Sequence, residues 1–442
     1  MSVLVTDGNE RATLAVTRAL GRKGIKVTVG DVMSRNLSST SKYCHRSFTY
    51  SSPVEKPADF LEEITAEVET NSYDVLIPIT DVTTNLVAQA KGKLAEYTLI
   101  PMPDKEIIES VSDKSRVLKL ALREGIPIPK TYFIKGVNQV KEIAKEVEYP
   151  VVIKPRKSRL LTENGWVAGN TEYAYSPEDL VAKYEKSHSL IPLPLIQERI
   201  LGPGCGVFVL LSNSEVRALF GHRRLREKPP SGGVSVLRES VLLNPMMKEY
   251  ALRLLKRLNW HGVAMVEFKC DSRDNIPKLM EINGRFWGSL QLAIDSGVNF
   301  PYLLYKMALE DDVEPILDYR VGVRTRWLLG DLDQILARLL KRADQLNLPD
   351  GHPGRLSAIV EFMRFYKRNM TYEVLSLEDP KPGVYEISEY FRALISNVPR
   401  LKGKRLKEGN LTVPMSESRS IVQRVIPQRS FAQDSLPKKS LK

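Results

Sequence analysis

The chain has 442 residues, of which 43% are hydrophobic and 27% are charged. These values are typical of a soluble globular protein with about two to four domains. No run approaches the length of a membrane span, and the first apolar run, SVLV, is too short for a signal peptide. The three cysteines are scattered and match no metal-ligand spacing, so we expect reduced thiols and a cytoplasmic location.

The net charge of +12 is concentrated at the C-terminal end. Between residues 399 and 442, eleven Lys or Arg stand against three Asp or Glu, in a segment that is rich in Ser, Pro and Gln. Its weak periodicity predicts a basic, disordered tail over residues 403–442. Such a tail is a solubilising extension, or it contacts RNA, an anionic surface or an acidic partner.

The first hundred residues alternate strand and helix patterns. Strands are predicted at residues 2–8, 25–31, 74–81 and 97–103, and a helix at residues 10–23. This alternation indicates a small parallel sheet with crossover helices, a Rossmann-like domain. Ligands of such sheets bind at the carboxyl ends of the strands, here Thr6–Arg11 and Ile79–Asp81. The turn at Gly8 lacks the GxGxxG spacing, so a dinucleotide is not indicated.

The central region continues with further short elements. Helices are predicted at residues 112–125, behind a Ser/Asp cap, and at residues 245–258; strands are predicted at residues 150–155, 193–200 and 201–211. The strand PVVIKP ends in Lys154. After residue 318 the pattern becomes that of amphipathic helices, and in LDQILARLLKRA five apolar residues form one stripe that we expect to pack on the core.

The run KLMEINGRFWG, residues 278–288, alternates polar and apolar side chains. Because side chains of a strand alternate between its faces, Glu281, Asn283 and Arg285 are predicted to share one face. A half-exposed structural strand has the same pattern, so this run alone does not indicate a site.

The preceding run, GVAMVEFKCDSRDN, makes the pattern more informative. A hairpin folded symmetrically about Asp274 places Glu267 directly opposite Glu281. Like charges that face each other across a ladder destabilise it, so the pair requires a cation or a shifted register. Either Lys269 and Arg285 neutralise the two carboxylates, or Mg²⁺ does so with an amide oxygen from the same face.

The order of these elements, with the pair VAMVEFK…KLMEINGRFWG, resembles the ATP-grasp superfamily of carboxylate–amine ligases over about residues 1–310. That superfamily includes biotin carboxylase and the large subunit of carbamoyl-phosphate synthase. The resemblance implies a mixed α/β and α+β fold. The expected domains are a Rossmann-like domain (1–110), ATP-grasp lobe A (111–190), lobe B with a metal site (191–310), a mainly helical C-terminal region (311–402) and the tail (403–442).

The resemblance also implies roles for individual residues, with ATP and Mg²⁺, or Mn²⁺, as cofactors. The implied nucleotide-contacting residues are Lys114, Lys154 and the hinge residues Gln197, Glu198, Arg199 and Ile200. The implied metal ligands are Glu267, Glu281 and Asn283. The arginines expected to face the transferred phosphoryl group or an anionic substrate are Arg285 and Arg238, with Arg223 as a further anion-binding candidate.

The implied reaction is ATP-dependent activation of a carboxylate as an acyl phosphate, followed by attack of an amine. Alternatives are activation of bicarbonate, as in biotin carboxylase or carbamoyl-phosphate synthase, and a non-catalytic ATP-binding scaffold. The chain departs from the superfamily in the loop of residues 155–169, which is basic and aromatic where Gly and Ser are usual. We expect small-molecule substrates, and the oligomeric state is left open, with a homodimer as one option.

Overall fold

A computed structural model describes residues 1–162, 165–348, 351–365 and 369–396; the predicted tail lies outside them. The strands are β1 (Ser2–Val5), β2 (Lys26–Asp31), β3 (Cys44–Thr49), β4 (Val75–Ile77), β5 (Thr131–Tyr132), β6 (Val151–Lys154), β7 (Arg159–Thr162), β8 (Gly165–Ala168), β9 (Glu172–Ala174), β10 (Leu195–Glu198), β11 (Gly204–Ser212), β12 (Glu215–Lys228), β13 (Val234–Ser240), β14 (Gly262–Cys270), β15 (Pro277–Asn283), β16 (Arg324–Arg326) and β17 (Met370–Tyr372). The helices are α1 (Arg11–Gly21), α2 (Pro57–Thr70), α3 (Asp81–Gln89), α4 (Lys91–Leu94), α5 (Lys105–Ser112), α6 (Lys114–Arg123), α7 (Gln139–Glu146), α8 (Pro177–Leu190), α9 (Pro245–Arg257), α10 (Leu290–Ser296), α11 (Phe300–Glu310), α12 (Leu328–Leu340), α13 (Arg355–Phe362) and α14 (Lys381–Ser396). Within the described ranges, no helix combines the length and the apolar character that crossing a bilayer requires.

The N-terminal part contains the predicted parallel sheet, with strand order β3-β2-β1-β4. Its central strand β1 is buried because helices cover the sheet, and α1 packs against it through an almost wholly buried face. The strand predicted at residues 97–103 is wrong. Only Leu99 pairs with Val75, as an isolated bridge, because this apolar run leaves the sheet edge at once to pack with α5.

Residues 131–198 form a four-stranded sheet of order β5-β10-β6-β9, in which the pairs β10–β5, β10–β6 and β6–β9 are all antiparallel. Helices α7 and α8 cover one face through a small apolar core that includes Val151, Ile153 and Ile196. The atypical loop at 155–169 contributes a separate hairpin, β7–β8, which projects from the end of β6.

A seven-stranded sheet of order β15-β14-β11-β12-β13-β16-β17 forms the largest layer. Every residue of β11 is buried because both faces of this strand are covered. One face packs against α9 and the other against α10 and α11. Glu267 of β14 pairs with Glu281 of β15 as predicted, but nearer the turn the register is shifted by one residue, with Phe268 opposite Leu279 and Met280 left between the two pairings.

The C-terminal region joins this sheet through β16 and β17. Its helix α12 buries only Ile335 of the predicted apolar stripe completely, and Leu340 is exposed. The buried face of α12 instead carries Asp331 and Asp333, which bind Arg226 and Lys228 of β12, each at 2.5 Å. The requirement of these buried cations for a counterion therefore sets the orientation of the helix.

Candidate functional site

A cleft opens where the N-terminal sheet, helix α6, the β7–β8 hairpin and the β14–β15 hairpin meet. The polar side chains that line it are Asp81, Thr84, Asn85, Ser112, Lys114, Ser158, Arg159, Glu281, Asn283 and Arg285. Asp81 is the first residue of α3, behind a capping box formed by Thr80 and Thr83, at the carboxyl end of β4. The cleft thus combines a strand end of the N-terminal sheet with the polar face of the predicted hairpin.

Two cations of the protein neutralise the opposed carboxylates. Lys114 Nζ lies 3.1 Å from Glu281 Oε2, and Arg224 Nη2 lies 2.5 Å from Glu267 Oε2. The alternative in which Lys269 and Arg285 neutralise the pair is wrong, because Lys269 donates to the carbonyl of Ile200. The opposed carboxylates are thus neutralised by cations, as predicted, and these cations are on α6 and β12.

The two carboxylates differ in their electrostatic environment. The Lys114 ammonium, outweighing desolvation, lowers the pKa of Glu281 to about 2, and Lys154 and Asn283 act in the same direction. Burial raises the pKa of Glu267, against the effect of Arg224, and the charge on Glu281 raises it further. Keeping Glu267 ionised is therefore costly, and an additional cation near this carboxylate would stabilise its charged form.

Lys154, the last residue of β6, lies within electrostatic range of Glu281. Burial lowers the pKa of its ammonium to about 8, and the positive charge of Lys114 contributes, while Glu281 opposes the shift. Lys114 differs, since Glu281 raises the pKa of this lysine in spite of its burial. Lys114 also donates to Ser158 Oγ at 3.0 Å. Both predicted lysines thus face the same carboxylate.

Arg285 is held by a carboxylate from the N-terminal sheet. Its Nε and Nη2 donate to the two oxygens of Asp81 at 2.6 and 2.9 Å, and Nη1 donates to the carbonyl of Phe286. Burial raises the pKa of Asp81, but the guanidinium outweighs it and the net effect lowers that pKa. A bidentate pair of this kind fixes the plane of the guanidinium.

The predicted hinge residues have mixed roles. Gln197 is buried and donates to Thr131 Oγ1 at 2.8 Å, and Ile200 is buried. The backbone N–H of Glu198 donates to Lys130 O, so this N–H is already used by the protein. Arg199 donates to the carbonyl of Asn347.

The Glu198 carboxylate is also engaged. It accepts from Arg273 at 2.8 Å, and Lys278 lies 3.4 Å away. Both cations also contact the buried carboxylate of Asp271. A network of charges therefore supports the hinge strand β10 from the turn of the carboxylate hairpin.

Arg238 is not brought into this cleft. It is 0% exposed on β13, where its Nη2 lies 2.6 Å from Glu373 Oε1 and Nη1 donates to Ser235 O. Arg223 pairs with Glu239 at 2.7 Å. Both candidates are thus satisfied by carboxylates of the protein.

Sequence reasoning missed Arg224 and Ser158 as parts of the site. Arg224 lies within the run HRRLRE, where alternation on a strand places every second basic residue on one face, but its partner is 43 residues away. Asp81 was noted only as a strand end. Nothing local to these residues indicates which carboxylate or cation each one meets.

Comparisons with known proteins identify the architecture. A family model described as "ATP-grasp in the biosynthetic pathway with Ter operon" matches residues 194–330. The biotin carboxylase domain of the 2-oxoglutarate carboxylase from Hydrogenobacter thermophilus superposes with a TM-score of 0.58 at 19% identity, covering 73% of each chain. The chain has an ATP-grasp fold, and residues 194–330 carry the sequence match to an ATP-grasp family.

Three further comparisons show similarity over part of the chain. An L-amino acid ligase from Bacillus licheniformis superposes with a TM-score of 0.55 at 15% identity, over 71% of this chain and 75% of the other. The D-aspartate ligase of Enterococcus faecium is 25% identical over 56% of this chain. The 2-oxoglutarate carboxylase small subunit of H. thermophilus is 26% identical over 41% of it. The matched segments make up 61% and 40% of those two relatives' own lengths.

Proposed function

We propose that the protein is an ATP- and Mg²⁺-dependent ligase that activates a carboxylate as an acyl phosphate for attack by an amine. The observation that carries this proposal is that Glu281, paired across the ladder with Glu267, lines a cleft with Lys114 and lies within electrostatic range of Lys154. Buried cations beside opposed carboxylates suit a polyphosphate bound together with a divalent metal.

The donor set fits Mg²⁺. Glu267, Glu281 and Asn283 offer two carboxylates and one amide oxygen on one face of a hairpin, which are hard ligands. Among the described residues, no group of three or more His, Cys, Asp and Glu could hold a metal alone. That is expected for Mg²⁺, which takes one or two carboxylates together with water and phosphate oxygens. When bound, the metal would neutralise the charge on the phosphates.

The protein's own residues supply the remaining electrostatics. Lys154 and Lys114 are placed to neutralise phosphate oxygens, and Arg285 is oriented by Asp81 to meet the transferred phosphoryl group or the acid. A carboxylate oxygen of the substrate attacks the γ-phosphorus and ADP leaves. The amine nitrogen then attacks the acyl carbon, phosphate leaves, and the nitrogen loses a proton.

The relatives narrow the substrate class. Two of them are named as amino acid ligases, one acting on L-amino acids and the other on D-aspartate. We therefore favour an amino acid as one of the two substrates. A second candidate is activation of bicarbonate, which is favoured by the similarity to a biotin carboxylase domain solved with MgADP and bicarbonate.

The test is an ADP-release screen of the full chain against pooled amino acids and other carboxylates, with and without an amine, and separately with bicarbonate. We expect release that requires Mg²⁺ and one acid pool and that disappears in Glu281→Gln. A matched control is Glu67→Gln, which alters a buried glutamate on α2 that binds Arg46 and Tyr73 away from the cleft. Release that persists in Glu281→Gln, or an absence of ATP binding by the wild type, refutes the proposal.

A further inference from the structure

Two of the three cysteines lie side by side on neighbouring strands. Cys205 Sγ of β11 is 3.7 Å from Cys270 Sγ, at the end of β14. Cys205 pairs with Phe268 in the ladder, and Cys270 follows two residues later, so both thiols are on the Phe268 face of the sheet. Glu267 points to the opposite face. These thiols therefore do not belong to the cleft described above.

The two thiols differ in access and acidity. Cys205 is 6% exposed, whereas Cys270 is half-buried and accessible from the surface. The contact with the Cys205 sulfur lowers the pKa of Cys270 to about 7, whereas the same contact and burial raise the pKa of Cys205. The accessible thiol is thus the one that more readily forms a thiolate, the nucleophile of disulfide exchange. The third cysteine, Cys44, lies on β3 of the N-terminal sheet.

We propose that Cys205 and Cys270 are a reversible dithiol–disulfide couple that modulates nucleotide binding, with a low-molecular-weight disulfide as oxidant. The Cys270 thiolate attacks the small disulfide, forming a mixed disulfide and releasing one thiolate. Cys205 then loses its proton to solvent and attacks Cys270 Sγ, which releases the second small thiolate. The two protein thiols are thereby oxidised, and the small disulfide is reduced to two thiols.

The link to the hinge is built from the residues around Cys270. A disulfide requires the sulfurs to approach to about 2.05 Å, so the end of β14 must move toward β11. Cys270 N donates to Pro203 O at 3.3 Å, and Ser272 N donates to Leu201 O at 2.8 Å. Both acceptors lie in the connection between β10 and β11.

A second link runs through side chains. Asp271, the neighbour of Cys270, contacts Lys278 at 2.7 Å and Arg273 at 2.5 Å, and these two cations hold Glu198 at the end of β10. Oxidation therefore acts on the strand that the proposed function assigns to nucleotide binding, and the effect on affinity rests on that proposal. Since the reduced arrangement satisfies these contacts, the oxidised form is the weaker binder.

The experiment compares reduced and oxidised protein in a full-length Cys44→Ser background, which prevents cross-linking through the third thiol. Treatment with oxidised glutathione is expected to give a Cys205–Cys270 disulfide in peptide mass spectra, and dithiothreitol should reverse it. Hydrogen exchange of residues 199–204 should change on oxidation. The affinity for ATP should fall by roughly fivefold or more, the lower end of typical coupling between sites. Cys270→Ser and Cys205→Ser controls should show neither effect, and Cys205→Ala replaces the latter if it fails to fold.

Two results overturn the proposal. In the first, oxidised glutathione modifies Cys270, but the Cys205–Cys270 disulfide does not form. The other is a disulfide that forms without changing either hydrogen exchange at the hinge or ATP affinity. If the reduced chain does not bind ATP at all, the proposed function fails, and hydrogen exchange at residues 199–204 alone decides whether the couple acts on the hinge.

Discussion

Replacing Glu281 by glutamine removes the counterion of the Lys114 ammonium while preserving the shape of the side chain. The pKa of Glu281 is lowered from 4.5 to about 2, mainly by Lys114 at 3.1 Å. A depression of this size corresponds to on the order of 3 kcal/mol of stabilisation at neutral pH. The side chain is 30% exposed, and the amide also relieves repulsion by Glu267. We therefore expect Glu281→Gln to lose about 1–2 kcal/mol of unfolding free energy at pH 7.

The stability lost in Glu281→Gln should depend on pH in a defined direction. A carboxyl whose pKa is lower in the folded state stabilises the fold above its unfolded pKa of about 4.3, and this contribution disappears as the pH falls through the folded value. The contribution of the Glu281 carboxyl to this difference in stability should hence be constant above about pH 5, while the pKa of Lys154, which Glu281 raises, adds a separate change near and below pH 8. The carboxyl contribution should shrink between about pH 4.5 and the folded pKa of about 2.

The assay is urea denaturation at a series of pH values, followed by tryptophan fluorescence, because Trp260 packs against Gly284 beside the site. A Mg²⁺ titration of ATP binding accompanies it, in which the variant should lose the Mg²⁺ dependence. Equal stability of both proteins at every pH would refute the Lys114–Glu281 ion pair. A large loss of stability with unchanged Mg²⁺-dependent ATP binding would make Glu281 structural and place the metal elsewhere.

Lys154→Ala should weaken ATP affinity by roughly 2 kcal/mol, the value of a lost charge-assisted contact, and calorimetry measures it. Because the pKa of Lys154 is about 8, wild-type affinity should decline as the pH rises above 8, and an unchanged affinity in the variant would remove this lysine from the site. Gly202→Ala should destabilise the hinge by about 1–3 kcal/mol, since φ is +145° and a Cβ would lie 1.8 Å from Cys270 O; a thermal melt equal to that of the wild type would contradict this reasoning. A chain truncated after Lys402 should keep its ATP turnover and lose only salt-sensitive binding to RNA or anionic lipid, which is screened over about 10 Å at 0.1 M salt; lost turnover at moderate salt would show that the tail contributes to the site.

Features encoded by neighbouring residues were predictable from the sequence. A hairpin centred on Asp274 predicted the Glu267–Glu281 pairing but not the one-residue shift beside the turn, and alternation placed Glu281 and Asn283 on one face. The cap of α6 by Asp113 was equally local. These patterns operate over a few residues, so reading them needs no knowledge of the tertiary structure.

Partners that are distant in sequence were not predictable. The Arg224–Glu267 and Arg285–Asp81 pairs join residues that lie 43 and 204 positions apart, and many cations of this basic chain would have served equally well. The strand predicted at residues 97–103 failed because apolar content alone does not determine whether a sheet edge has a free partner. In α12, Asp331 and Asp333 are buried because they pair with cations of β12. The apolar periodicity of the α12 sequence did not indicate these pairs.

Ion pairs between α1 and residues 373–379 have a consequence for the order of folding during synthesis. Arg18 of α1 is buried and donates to Asp379, 361 residues later, while Arg238 on β13 and Arg11 both depend on Glu373. A nascent chain that has emerged only as far as the carboxylate hairpin therefore has these guanidiniums without counterions, at a cost of several kcal/mol for each one buried. During synthesis, Arg11 and Arg18 of α1 therefore stay hydrated, and α1 does not pack fully until residues 373–379 have been made. Fragments that end near residue 310 should hence be less stable than the full chain even though they contain every residue of the cleft.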